Sequence, residues 1–165
     1  MLFRSRLLQA GIEVETIDEN GNSLLILAAR EGSLATVRTL IGARARIDRV
    51  NRLGETALMH AAITGRLEVV RFLLVQGAAV EQSGWTPLIY AAVKGDVGIA
   101  RLLVAYGAQV DARGGNGFTA LMMAAREGHE EFVKFLIERS ANLDAQTDSG
   151  LNALAIRSEE HTSEL

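Results

Sequence analysis

Gly117-Phe118-Thr119-Ala120-Leu121-Met122-Met123-Ala124-Ala125-Arg126-Glu127-Gly128-His129 decides how the rest of the chain is read. A Gly opens the stretch, and a Thr able to cap a helix follows two residues later. A short apolar run ends in paired alanines, and a second Gly closes it. The same grammar recurs at Gly21–Gly32, Gly54–Gly65 and Gly84–Gly95, and begins again at Gly150. Successive opening glycines stand 33, 30, 33 and 33 residues apart. A recurrence in phase over this length marks a repeat array and outranks any local motif.

The slots assign structure. Two residues after each opening Gly come Ser23, Thr56, Thr86, Thr119 and Asn152, all able to accept a hydrogen bond from an orphan N–H of a helix first turn. Pro87 follows Thr86 at the first helical position, where its missing N–H does no harm. A helix of about two turns should follow, carrying Ala28-Ala29, Ala61-Ala62, Ala91-Ala92 and Ala124-Ala125 on the side where neighbours approach. Beyond the second Gly, helical spacing returns, as in Leu67, Val70, Leu73 and Leu74, or Phe132, Phe135 and Leu136. Each pair of helices is too small to bury its own apolar face, so stacking on the neighbouring units must create the core.

Bulk properties agree with a folded helical chain. Of 165 residues, 48% are hydrophobic and 5% aromatic, with one Pro. That composition excludes disorder. A net charge of −3 gives no support to a nucleic-acid surface. The absence of cysteine removes disulfide and thiolate-metal frameworks but fixes no compartment. No apolar run is long enough to span a bilayer. Read from Met1, the basic start has no apolar region of secretory-signal type behind it, which favours the cytoplasm.

These residues resemble the ankyrin repeat. Its pattern is met best by Gly84-Trp85-Thr86-Pro87-Leu88 through Gly107-Ala108, and by Gly117–Ala141. The resemblance covers residues 1–156. It implies an all-α solenoid of helix–turn–helix units joined by short β-hairpin fingers, with repeats at 18–50, 51–80, 81–113 and 114–146. Partial repeats then fall at 1–17 and 147–156. The rival helical repeat, of tetratricopeptide type, lacks the glycine-containing finger and the capped start.

Departures from the family pattern carry their own expectations. Ile26, Met59, Ile89 and Met122 stand where the family places His, so its Thr–His bonding is absent. Arg44 and Ser140 replace the Gly that ends the second helix, so those two ends should be strained or differently capped. The second repeat is three residues short between Val80 and Gly84, which should trim the finger that carries Trp85. Leu7–Gly11 reads as the close of a second helix. At the other end the pattern breaks at Arg157, where paired alanines are due. Residues 157–165 resemble the in-frame translation of a common sequencing adapter and are expected to be non-native.

No catalytic, cofactor-binding or metal-binding set can be assembled, and no enzyme is expected. His129 stands at a packing or capping slot. His60 shares its slot with Leu27, Tyr90 and Met123 and reads as an apolar filler. Gly114-Gly115-Asn116-Gly117 lacks the strand and lysine of a phosphate loop and reads as a turn.

What remains is a binding surface. The resemblance implies a concave face of fingers and first helices, onto which the variable slots project. Trp85, Phe118, Ile63 and Val93 are apolar where the frame needs no apolar side chain, and Lys94, Arg126, Arg52 and Glu55 supply charge around them. Two readings of Trp85 and Phe118 stand: partner anchors, or covers folded onto neighbouring fingers. The expected partner is another protein, not nucleic acid or membrane, and uncapped ends allow self-association. The array is read as a non-catalytic interaction module, or alternatively as the targeting segment of a larger enzyme or effector.

Overall fold

The computed structural model describes residues 13–163, with side chains as far as Ser158; the second-helix reading of Leu7–Gly11 lies outside the described residues. Nine α-helices are formed among the described residues: α1 (Leu24–Glu31), α2 (Leu34–Gly42), α3 (Ala57–Ile63), α4 (Leu67–Val75), α5 (Pro87–Lys94), α6 (Val97–Ala105), α7 (Ala120–Arg126), α8 (Glu130–Glu138) and α9 (Ala153–Ser163). They divide between two compact units, Met1–Ala79 and Val80–Leu165.

The helices begin where the capping slots place them. Ser23, Thr56, Thr86 and Thr119 each accept from the backbone N–H three residues on, at 3.3, 3.3, 3.3 and 3.4 Å. Asn152 does the same for Ala155 at 2.9 Å. Each cap satisfies a donor that the helix itself leaves unpaired, worth about 1 kcal/mol.

Alanine then sets how closely helices approach. In the first unit α1 packs on α3, and Ala29, Ala61 and Ala62 are fully buried. In the second unit α5, α7 and α9 stack in succession over Ala91, Ala92 and Ala124. The outer helices pair as α2 with α4 and α6 with α8. Their buried rows are Val37 and Leu40; Val69, Val70, Leu73 and Leu74; Ile99, Ala100 and Leu103; and Phe132, Phe135 and Leu136. Phe132 and Phe135 meet edge to face with centroids 6.2 Å apart. Truncating either to Ala would cost roughly 3–5 kcal/mol.

The connecting fingers are hydrogen-bonded turns, with only an isolated bridge, Ile17 to Ser23, among the described residues. Four of them share one pattern. The residue three before the opening Gly donates its N–H to the residue after that Gly and accepts from the Gly itself. The donors are Asp18, Asn51, Gly114 and Thr147. The finger before Gly84 lacks this pair of bonds, as its three-residue shortening leads one to expect.

A carboxylate ladder ties successive fingers together. Glu15 Oε1 accepts from Arg46 N, Asp48 Oδ1 from Ala79 N, Glu81 Oε1 from Gln109 N, and Asp111 Oδ1 from Asn142 N, all at 2.8–2.9 Å. Burial pushes the Glu15 carboxyl up, but the Arg46 N–H and the Arg49 and Arg46 guanidinium groups outweigh it and hold it below the ordinary 4.5. Nothing in the sequence reading anticipated this ladder.

Where Gly is replaced after the second helix, the backbone keeps the glycine conformation. Arg44 has φ 68° and Ser140 φ 61°, in the left-handed region that Gly77 and Gly107 occupy at the same slot. The expected strain is therefore present at both ends.

Candidate interaction surface

The finger turns and the first helices hold the variable slots, and each unit is described on its own. In the second unit Thr86 and Pro87 fix the start of α5, which leaves Trp85 just ahead of the helix and half-buried. Its ring lies 5.6 Å from that of Tyr90, tilted by 44°. The indole also runs under the next finger: a Cβ added to Gly115 would lie 3.1 Å from Trp85 Nε1. This explains Gly115 as clearance over an indole, while a Cβ on Gly114 would lie 3.0 Å from Ile89 Cδ1, in keeping with the turn reading. Trp85 thus supports a finger on one side and meets solvent on the other.

Phe118 occupies the matching slot ahead of α7 and is also half-buried. The Arg126 guanidinium stands 6.0 Å from its ring centroid, and Arg126 is also paired with Glu127 at 2.9 Å. Sequence reasoning placed these residues at separate slots, and the structure brings them into one cluster. Val93 is half-buried near the end of α5. Lys94 beside it is exposed and makes no ion pair among the described residues.

In the first unit Ile63 is half-buried at the end of α3, and Arg52 is exposed on its finger. Arg52 donates its backbone N–H to Asn20 O at 3.1 Å, so its guanidinium projects from a fixed stem. Glu55 is engaged inside the unit. Its Oε2 accepts from Asn51 Nδ2 at 2.8 Å and from His60 Nε2 at 3.0 Å. Asn51 Nδ2 also donates to Asn22 Oδ1 at 2.9 Å, which completes a network on the wall of a cleft of about 380 Å³. The reading of His60 as an apolar filler is corrected here. Glu55 stands one turn before His60 and supplies the acceptor that Leu27, Tyr90 or Met123 would not need. Leu53, at the tip of the same finger, is 82% exposed and was not singled out as a contact. Its signal was available: an apolar residue directly before the opening Gly.

Among the described residues no group of three His, Asp or Glu side chains is placed to hold a metal ion. No described helix is long and apolar enough to cross a membrane. His129 caps through its backbone at the start of α8, and its Nε2–H donates to Val93 O at 3.0 Å.

Paired helices recurring every 30 or 33 residues, with capped starts and linking fingers, define a helical repeat protein. A family model described as ankyrin repeats, three copies, matches residues 25–114, 76–147 and 111–162, and the chain belongs to the ankyrin-repeat family. Similar stretches occur in a Caenorhabditis elegans homologue of transient receptor potential cation channel subfamily A member 1, 41% identical over 66 residues, which is 40% of this chain and 6% of that protein. Human protein fem-1 homolog A is 35% identical over 75 residues, 46% of this chain and 11% of that protein. Its Bos taurus counterpart is 35% identical over 76 residues, 46% and 12%. The chain therefore spans a small fraction of the relatives it matches.

Proposed function

We propose that the chain binds another protein through its finger and first-helix face, without catalysing a reaction. In the second unit Trp85 and Phe118 act as anchors, with Val93, Lys94 and Arg126 around them. In the first unit Ile63 and Arg52 make contact, while Glu55 holds the cleft wall. One observation carries the reading: two large aromatic side chains stand half-exposed at slots where the repeat frame needs none. Half-exposed aromatics with a cation nearby are the composition of binding hot spots.

The test is a binding titration against a partner captured with the intact chain. Trp85→Ala and Phe118→Ala should each weaken binding by about 2 kcal/mol, roughly thirtyfold. Thermal melts of both variants separate this from loss of the finger that Trp85 supports. Unchanged affinity in both variants overturns the proposal.

A second reading rests on the small share of each relative that the chain covers. The array is then the targeting segment of a larger enzyme or effector whose catalytic domain lies outside these residues. A full-length open reading frame with a catalytic domain attached would favour it.

A further inference from the structure

In the first unit Arg52 reaches from the finger around Gly54 onto the finger around Gly21. A Cβ added to Gly21 would lie 3.2 Å from Arg52 Cγ, and Gly21 has φ 79°. The bare α-carbon therefore serves both the turn and the arginine stem that crosses it. With its backbone N–H already donated to Asn20 O, Arg52 is placed before any partner arrives, and less freedom is lost when its guanidinium is bound. Arg46 and Arg49, on the same finger, are both held by Glu15. Arg52 is exposed and makes no ion pair among the described residues.

Arg52 lines the cleft of about 380 Å³ whose wall the Glu55 network forms. That wall is an unbroken set of hydrogen bonds from Asp18 to His60. Asp18 accepts from Asn20 N, Asn22 N and Asn22 Nδ2 at 2.8–2.9 Å. Asn51 joins Asn22 to Glu55, and His60 donates to Glu55 as well. Asn22 and Asn51 are at most 8% exposed, so the wall is fixed as well as satisfied. Both of its acids already hold donors, and a basic group entering the cleft would compete with those donors and meet Arg52. The uncompensated charge on the cleft is therefore positive. The Asn20 carboxamide, also lining it, is exposed and makes no side-chain hydrogen bond among the described residues. Leu53 forms an apolar lip: it is 82% exposed, with its N–H fixed on Asn51 Oδ1 at 2.9 Å.

We infer that this cleft takes an Asp or Glu side chain of a partner protein, flanked in that partner by an apolar residue. The acid pairs with Arg52 and accepts from the Asn20 amide, while the apolar neighbour covers Leu53. A carboxylate suits the guanidinium because two parallel N–H···O bonds can form between them. Covering Leu53 removes apolar surface from water without moving the finger that carries it. This names the partner's chemistry at the finger face proposed above, and it rests on that reading.

Random peptides displayed on phage test this, joined to the coat protein at their C-terminus so that only side chains supply carboxylates. They are selected in parallel on the 165-residue chain and on its Trp85→Ala variant. Peptides with Asp or Glu beside an apolar residue should be enriched on both. One of them, synthesised with an amidated C-terminus, should bind Arg52→Ala roughly tenfold more weakly than wild type. Replacing its acid by the matching amide should cost the same, and combining the two changes should cost no more than either alone. Arg52→Lys should keep part of the affinity, and Leu53→Ser should weaken the same peptide. An acidic peptide that binds Arg52→Ala as tightly as wild type overturns the inference, and so do losses that simply add. A wild-type chain that enriches no acidic peptide overturns it too. Peptides that are lost on Trp85→Ala but indifferent to Arg52→Ala overturn it as well, while supporting the finger-face reading through the second unit.

Discussion

The imidazole of His129 rests on the bare α-carbon of Gly95. A Cβ added to Gly95 would lie 2.6 Å from the ring, and Gly95 itself has φ 78°. Arg66 stands on Gly32 in the same way and donates its Nε–H to Arg30 O at 3.2 Å, as His129 Nε2–H does to Val93 O. The residue after one inter-helix Gly thus clips onto the end of the preceding first helix, where free carbonyls favour a hydrogen-bond donor.

Gly95→Ala should therefore cost more than the roughly 1 kcal/mol expected from the left-handed backbone alone. Gly54→Ala is the control, because a Cβ there meets nothing within 4 Å at a similar φ of 79°. Urea denaturation of the two variants should separate them, and equal losses would show that the His129 contact adds nothing. His129→Ala should itself cost about 1–2 kcal/mol.

The carboxylate ladder predicts a second set of losses. Asp111→Ala leaves Asn142 N without its acceptor and should destabilise by about 1 kcal/mol. Hydrogen exchange at the Asn142 amide should accelerate while the core amides of α5 and α7 stay protected.

At Arg44 and Ser140 the opposite sign is expected. Gly at either position relieves a left-handed residue and should stabilise by up to about 1 kcal/mol. Thermal melting of Arg44→Gly and Ser140→Gly checks it. A fall in melting temperature would mean that the side chains contribute more than the backbone strain removes.

Glu15 gives the pH dependence. Its folded-state pKa is held below 4.5, so its contribution to stability is present above that value and is lost as pH falls through the lower folded one. The Arg46 amide, hydrogen-bonded to Glu15, should report this as a chemical-shift change centred below pH 4.5. Glu15→Gln should abolish the titration.

Most of the fold was legible because it is written in glycines, caps and paired alanines. Each acts through the local backbone, so its place in the period is enough to read it. Arg44 and Ser140 were legible as strain for the same reason. The ladder was not, because its acidic slot alternates Glu and Asp and is displaced at Glu81 by the shortened finger. The Glu55–His60 pair was hidden too: it depends on which way two side chains turn, and no spacing rule records that. Trp85 and Phe118 could be picked out as misplaced aromatics. Only the structure showed that Trp85 also supports the Gly114-Gly115 turn and that Arg126 stands over Phe118.

The ladder has a consequence for how such a chain can change. Each rung joins a carboxylate of one finger to a main-chain N–H of the next within the same compact unit, and the four recipients are Arg46, Ala79, Gln109 and Asn142. Residues so unlike one another all serve because the bond common to the four rungs comes from the main chain; only Arg46 adds a side-chain bond to its acid. A repeat can then be duplicated, lost or exchanged without a matching side chain in its neighbour, provided the acid travels with it. The number of repeats is therefore free to drift while each such rung is kept.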